Sequence, residues 1–143
     1  MSQKVKPLLK GDRGELGQYV RDIADQMGLR DWTVNMMHGE PANVKAGADC
    51  QVVFGQKVVD IRFRHDWHEM PPEDLRWLVA HELVHCHLWT MSQRVCDLES
   101  TMGVMVWGVF DAAFTDALEH ATDGIAREWS RHLPLPVKRK KAA

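Results

Sequence analysis

The sequence predicts an α+β fold in which a small, mostly antiparallel sheet is combined with an N-terminal helix, a central helix and a long C-terminal helix. Three observations predict this class. Apolar residues recur at helical spacing in three stretches, apolar and polar residues alternate in others, and glycine and proline separate the stretches. The 143 residues suffice for one compact domain. We place it at residues 1–133, followed by a basic, flexible tail at 134–143.

Composition excludes several classes of function. The formal net charge of -2 gives no overall attraction to nucleic acid or to an anionic membrane, so neither is expected as a partner. Met1–Lys10 lacks a signal-like apolar run, and no later stretch has about 18 consecutive apolar residues. We therefore predict a soluble cytoplasmic protein of undetermined oligomeric state. The three cysteines form no Cys-x-x-Cys pair, which predicts reduced thiols.

The first element is an amphipathic helix. Asp12 and Glu15 resemble a capping box, and Gly28 ends the pattern. Apolar residues recur between them at helical spacing: Leu16, Val20, Ile23 and Met27. We expect this helix to cover one face of the sheet.

Three strands are predicted next. Trp32, Val34 and Met36 alternate with polar residues, and a loop or flap follows at Gly39–Asp49. Cys50–Phe54 and Lys57–Arg64 flank a Gly55-Gln56 pair, which suits a tight hairpin. In the last strand apolar residues alternate with Asp60, Arg62 and Arg64. One face is therefore predicted to be wet, and the charges are typical of an edge strand.

Two long helices complete the chain. Pro72, followed by Glu73 and Asp74, suits the first turn of a helix that we expect to reach about Met91. The pattern is helical again from Leu98 to Leu133, with possible breaks at Gly103 and Gly108 and a stop at Pro134. Its predicted core stripe is Phe110, Phe114, Leu118, Ala121, Ile125 and Trp129.

The central helix carries the sequence His-Glu-x-x-His at His81, Glu82 and His85. Residues four apart lie on one helix face, so both imidazoles can reach one metal ion. Glu82 lies beside this line, where its carboxylate can take a proton from a metal-bound water. The pattern predicts a zinc hydrolase site with Glu82 as the general base. A surface helix with two histidines whose hydrogen bonds are satisfied without a metal is the alternative interpretation.

A catalytic zinc needs a third protein ligand. Leu88 and Met91 stand where the compact metzincin motif has glycine and histidine, so that motif is excluded. Helical projection favours Glu119 among the downstream candidates and leaves His120 as the alternative. Asp123, one turn later, is the predicted acceptor that orients a ligand histidine. Small residues that would allow a close approach share the side of Glu119: Ala112, Thr115, Thr122 and Ala126.

His81 to His85 followed by Glu119 to Asp123 resembles the gluzincin pattern of thermolysin-like metallopeptidases, in which a Glu-x-x-x-Asp element supplies the third ligand. The small size resembles minigluzincins, and Glu119 to Ala126 is similar, more weakly, to a segment of ImmA/IrrE-type peptidases. The resemblance covers roughly residues 57–129. It implies a zincin-like core with one Zn²⁺ held by His81, His85 and Glu119.

The predicted function is hydrolysis of peptide bonds by zinc-activated water. The resemblance implies a peptide or protein substrate extended along the sheet edge, which we place at Lys57–Arg64. The residue that stabilises the oxyanion is left open among Tyr19, His65, His68, His120 and His132. Two alternatives remain: a catalytically silent binding module of zincin fold, and a regulatory peptidase specific for one intracellular repressor-like protein.

Overall fold

The computed structural model describes residues 13–53 and 55–136. The predicted cap at Asp12 and the basic residues at 138–141 lie outside this part. Six main elements follow in chain order: α1 Arg13–Gln26, β1 Thr33–Met36, β2 Ala48–Val52, β3 Val58–Phe63, α2 Pro72–Cys96 and α3 Val104–Ser130. The α+β class is confirmed. Short 3₁₀ turns at Trp67–Glu69 and Glu99–Thr101 precede α2 and α3, respectively.

The three strands of the described sheet lie in the order β1-β3-β2. β2 and β3 form the predicted antiparallel hairpin, whereas β1 pairs with β3 in parallel. In the connection between β2 and β3, the Gln56 N–H donates to the Val53 carbonyl oxygen at 3.1 Å. Gly55 has φ 69°, which a glycine adopts without strain. The sheet is therefore mixed rather than mostly antiparallel.

The prediction that Lys57–Arg64 forms a sheet edge is wrong. β3 is the central strand and has a hydrogen-bonded neighbour on each side. Its charged side chains occupy the solvated face of the sheet, where Arg62 bonds to Asp49 at 2.9 and 2.7 Å and Asp60 accepts from Asn35 at 3.0 Å. Alternating charge identifies a wet face, but it carries no information on how many neighbours a strand has.

The hydrophobic core lies on the opposite face of the sheet. Val59, Ile61 and Phe63 of β3 are fully buried there, as predicted, and so are the four predicted apolar residues of α1. α1 packs on β1, and α2 packs on β2 and on α1. One face of the sheet therefore carries the helices while the other meets water.

α2 is the most deeply buried helix of the described chain. It begins at Pro72, as predicted, and ends at Cys96, five residues later than expected. Its buried residues are Leu75, Leu78, Val79, Ala80, His81, Glu82, Leu83, Val84 and Cys86. Neither α2 nor any other described helix is long and apolar enough to cross a membrane.

α3 begins after the predicted break at Gly103 and passes through Gly108 without interruption. The predicted core stripe is wrong: Ile125 and Trp129 are 39% and 38% exposed. The residues that α3 buries are Thr122, Ala126 and Ser130. Hydrophobic periodicity selects large side chains, whereas two helices approach closely where side chains are small. Of the predicted stripe, Phe110, Phe114 and Leu118 are half-buried, whereas Ala121, Ile125 and Trp129 are exposed.

The chain after α3 folds back onto the domain. The Tyr19 hydroxyl donates to the Pro134 carbonyl oxygen at 2.8 Å, and Arg76 Nη1 donates to the Leu133 carbonyl oxygen at 3.1 Å. Pro136 is fully buried. Residues 134–136 thus contact the domain, because prolines that end a helix can still pack against its neighbours, and the flexible tail stays a prediction.

Candidate metal centre

Three predicted ligand side chains converge between α2 and α3. His81 Nε2 lies 3.2 Å from one carboxylate oxygen of Glu119, and His85 Nε2 lies 3.2 Å from the other. One ligand atom from each residue lies within 4.8 Å of the other two. α2 aligns the histidines because they are one turn apart, and their rings are 5.1 Å apart between centroids. The third group comes from α3, which packs against this face.

The donor set fits a zinc ion. Two imidazole nitrogens and one carboxylate oxygen make a common catalytic zinc set that leaves a fourth position open. Ligands at about 2.0–2.1 Å from a tetrahedral zinc are roughly 3.4 Å apart, close to the observed separations. Glu119 is 48% exposed, so the opening of the site lies on the α3 side. Zinc binding itself stays a prediction.

Asp123 lies beside the cluster, as predicted. Its Oδ1 is 2.8 Å from Nδ1 of His81, on the side of the ring opposite to Glu119. The two atoms lie close together but do not form a regular hydrogen bond. A carboxylate at this nitrogen favours the tautomer whose Nε2 is free to bind a metal. Asp123 thus lies where the predicted orienting residue was expected, and its role stays a prediction.

Glu82 is buried next to the cluster and is only 5% exposed. Burial raises its pKa from 4.5 to about 7, and the nearby His81 partly opposes this shift. A carboxyl group with a pKa near neutrality can both accept and return a proton. Glu82 is therefore electrostatically suited to the predicted role of general base.

Burial also governs the other titratable groups near the centre. It lowers the pKa of His85, which favours the neutral ring that binds metals, while Glu119 opposes the change. It raises the pKa of Cys86 to about 12 and raises that of Cys50 further. Both thiols therefore stay protonated at neutral pH, and neither belongs to the group that could hold a metal.

The cluster opens into a cavity of about 780 Å³ between β2, α2 and α3, here called the cleft. Besides the histidines, Glu82, Glu119 and Asp123, its lining consists of residues 46–52, Trp77, Leu78, Trp89, Ser92 and Leu118. Sequence reasoning did not identify the contribution of β2 or of the two tryptophans. The spacing of Trp77 and Trp89, four residues before and after the histidine pair, was the signal that could have revealed them.

β2 presents a free edge to this cleft. The Arg64 N–H bonds to the Gly47 carbonyl, and the Val53 N–H bonds to the Val58 carbonyl. Antiparallel pairing alternates, so the intervening even-numbered residues 48, 50 and 52 direct their backbone groups away from β3. An extended peptide could pair with these groups.

Close packing fixes the orientation of β2 over α2. A Cβ on Gly47 would lie 2.9 Å from a methyl carbon of Leu78, so a larger residue there would require the Leu78 side chain to shift. The Cys50 thiol donates to the Glu82 carbonyl oxygen at 3.5 Å. β2 and α2 therefore run in the same general direction along the cleft.

The proposed oxyanion-stabilising residues lie elsewhere. None of Tyr19, His65, His68, His120 and His132 belongs to the cleft lining. The Tyr19 hydroxyl is bonded to Pro134, and His65 Nδ1 lies 2.8 Å from Glu40. His120 is exposed on α3 and does not join the described cluster, which leaves Glu119 as the favoured third ligand.

Comparisons with known proteins add little to this geometry. No protein-family model matches the chain, and no solved structure matches it. A curated protein, sigma non-opioid intracellular receptor 1 of Taricha granulosa, is 28% identical over 103 residues. The similar region covers 67% of this chain and 44% of the receptor. The chain thus spans less than half the length of that relative, and the likeness does not establish a family.

Proposed function

We propose that the protein is a zinc-dependent metallopeptidase with a zincin-like core, which holds one Zn²⁺ with His81, His85 and Glu119 and uses Glu82 as general base. The observation that carries the proposal is the convergence of these three side chains from two helices, with each histidine Nε2 lying 3.2 Å from a carboxylate oxygen of Glu119. The raised pKa of buried Glu82 supports the same function.

Each residue of the site has a separate role in the proposed hydrolysis. Zinc bound at this site would supply a Lewis acid that polarises the scissile carbonyl and lowers the pKa of water to about 7. Glu82 accepts a proton from the attacking water as the new carbon–oxygen bond forms, and returns it to the nitrogen as the carbon–nitrogen bond breaks. Asp123 keeps the His81 ring in the orientation that leaves Nε2 facing Glu119.

The substrate lies along β2 in this proposal, in place of the Lys57–Arg64 edge expected from the sequence. β2 is an edge strand that lines the cleft, whereas β3 has no free edge. Backbone groups of Ala48, Cys50 and Val52 would pair with an extended peptide, and the peptide bond between its central residues would lie near the histidines.

Glu82→Gln tests the catalytic role directly. The zinc-loaded variant should cleave a peptide library about 10²–10⁴ times more slowly than the wild type, because the proton acceptor is lost. Its zinc content, measured by elemental analysis, should stay at one ion per chain. Glu73→Gln, at an exposed glutamate of the same helix, is the matched control and should retain activity. Equal cleavage by Glu82→Gln and the wild type would remove Glu82 from the mechanism.

Substitution in α3 tests the third ligand. Glu119→Gln should weaken zinc binding, because the amide oxygen carries no negative charge. Asp116→Asn, at an exposed acid of the same helix, should leave zinc affinity unchanged. Competition with a chromophoric chelator measures both. Unchanged zinc affinity in Glu119→Gln would exclude the predicted set of ligands.

A second candidate is a metal-containing module that binds peptides without cleaving them. The described part of the chain supplies no lysine, arginine, tyrosine or additional histidine to the cleft lining that could stabilise an oxyanion. The similarity to a receptor named sigma non-opioid intracellular receptor 1 is also compatible with binding. Peptide binding by the zinc-loaded wild type without any cleavage would favour this candidate.

A further inference from the structure

The two tryptophans of the cleft lie on the same helix face as the histidine pair. Trp77 precedes His81 by one turn, and Trp89 follows His85 by one turn. The Trp77 ring lies 5.4 Å from the His81 ring between centroids. Both tryptophans line the cleft, so a large apolar ring lies on each side of the metal centre.

The distance between the tryptophans matches a short extended peptide. Trp77 and Trp89 are twelve residues apart, which corresponds to about 18 Å along a helix. An extended chain advances about 3.3 Å per residue, so about five peptide residues span this distance. β2 runs alongside, with Gly47 over Leu78 and Cys50 over Glu82. A peptide paired with β2 would thus present side chains to both indoles and its central bond to the metal centre.

The rest of the lining disfavours acidic side chains. Among the described residues, no lysine or arginine contributes to the lining, and its apolar members include Val52, Leu78 and Leu118. A carboxylate held at either end of the cleft would lose water without gaining a cationic partner. The same argument disfavours a C-terminal carboxylate there. The cleft therefore suits the interior of a chain rather than its C-terminal residue.

We propose that Trp77 and Trp89 determine specificity by selecting internal, extended peptide segments that carry a large apolar or aromatic side chain on each side of the scissile bond. This inference rests on the proposed function, since it assigns a substrate class to the same site. Each tryptophan acts on one side of the bond.

Peptide binding provides a test that does not require turnover. Zinc-loaded Glu82→Gln chain is titrated by calorimetry with end-blocked hexapeptides that carry two Phe, two Ala or two Asp residues around the central bond. The Phe peptide should bind most tightly. In this background, Trp77→Ala and Trp89→Ala should each weaken its binding by about tenfold and change that of the Ala peptide less than twofold.

Control variants distinguish a change in peptide specificity from a general loss of structure. Trp129→Ala removes a tryptophan of α3 outside the cleft and should leave the binding of both peptides unchanged. Trp77→Leu and Trp89→Leu retain part of the apolar surface and should give intermediate affinities. They also replace the alanine variants if circular dichroism or zinc analysis shows that those lose the fold.

The outcomes distinguish this inference from the proposed function. If the Phe peptide binds through the tryptophans but the wild type does not cleave it, the inferred class of bound peptide stands and the peptidase function is excluded. Cleavage abolished by Glu82→Gln, with no preference between Phe and Asp peptides, would retain the peptidase and overturn the inference. Equal weakening of the Phe and Ala peptides in the tryptophan variants would also overturn it. Mass spectrometry of products shows which side of the bond each tryptophan selects.

Discussion

The two helices that form the candidate metal centre are held in the molecule in different ways. α2 is surrounded by the sheet, α1 and α3, and it buries large side chains such as Leu83. α3 buries Thr122, Ala126 and Ser130, whereas Val104 and Met105 at its beginning are 90% and 86% exposed. α2 is thus part of the core, and α3 lies against it through small residues.

This difference determines how each ligand is positioned. His81 and His85 are fixed by the packing of α2, whose orientation a large core enforces. Glu119 depends on how closely α3 approaches. Thr122 and Ser130 direct their hydroxyls to carbonyl oxygens of their own helix, at 2.8 and 2.9 Å, so they require no polar partner on α2. Four predictions test this comparison.

Truncation of a large apolar residue should lower the free energy of unfolding far more on α2 than on α3. Leu83→Ala should lower the free energy of unfolding by about 2–5 kcal/mol, because Leu83 is fully buried and its removal leaves a cavity. Ile125→Ala, at a residue 39% exposed, should lower it by less than about 1 kcal/mol. Urea unfolding monitored by circular dichroism measures both. Similar losses would contradict the proposed difference between the helices.

The buried carboxyl of α2 should make the stability of the metal-free protein depend on pH. Folded Glu82 keeps its proton up to about pH 7, whereas an unfolded glutamate loses it near 4.5. The folded state therefore binds more protons in this window, and stability falls as pH rises through it. The contribution is on the order of 3 kcal/mol and should disappear in Glu82→Gln. If the free energy of unfolding changes with pH in the same way in the wild type and in Glu82→Gln from pH 4.5 to 7, this contribution of Glu82 is excluded.

A larger side chain at the contact should displace α3 without unfolding the core. Ala126→Leu should lower the free energy of unfolding by about 1–3 kcal/mol and weaken zinc binding, because Ala126 is completely buried where α3 meets the domain. Ala121→Leu, at an exposed position of the same helix, should change neither quantity appreciably. Chemical denaturation and chelator competition provide the measurements. Zinc affinity that stays unchanged in Ala126→Leu would show that Glu119 does not depend on this contact.

Of the four changes, removal of the contact between Asp123 and His81 should have the smallest effect. Asp123→Asn should weaken zinc binding by about 10–100-fold, because the carboxylate no longer orients the ring. The exposed Asp116→Asn again provides the control. An equal change in both variants would indicate a general effect of charge on α3 rather than orientation of His81.

The success of each sequence prediction depended on whether it needed only local information. α1, the hairpin and the start of α2 follow from periodicity, Gly55 and Pro72, and the structure confirms them. The choice of Glu119 used four small residues, of which Thr122 and Ala126 are buried as that argument required, whereas Ala112 and Thr115 are exposed. The core stripe predicted for α3 was wrong, because the exposure of a side chain depends on how far the neighbouring helix extends.

The sequence by itself determined the α+β class and the order of the helices and strands. It also specified the two histidines and Glu82, because fixed spacing along one helix defines their relative positions. Only the tertiary structure decided that β3 is central and β2 forms the edge along the cleft. It also brought Glu119 to the histidines and β2 alongside α2. These relations join segments far apart in the chain, and their positions depend on packing that local periodicity does not record.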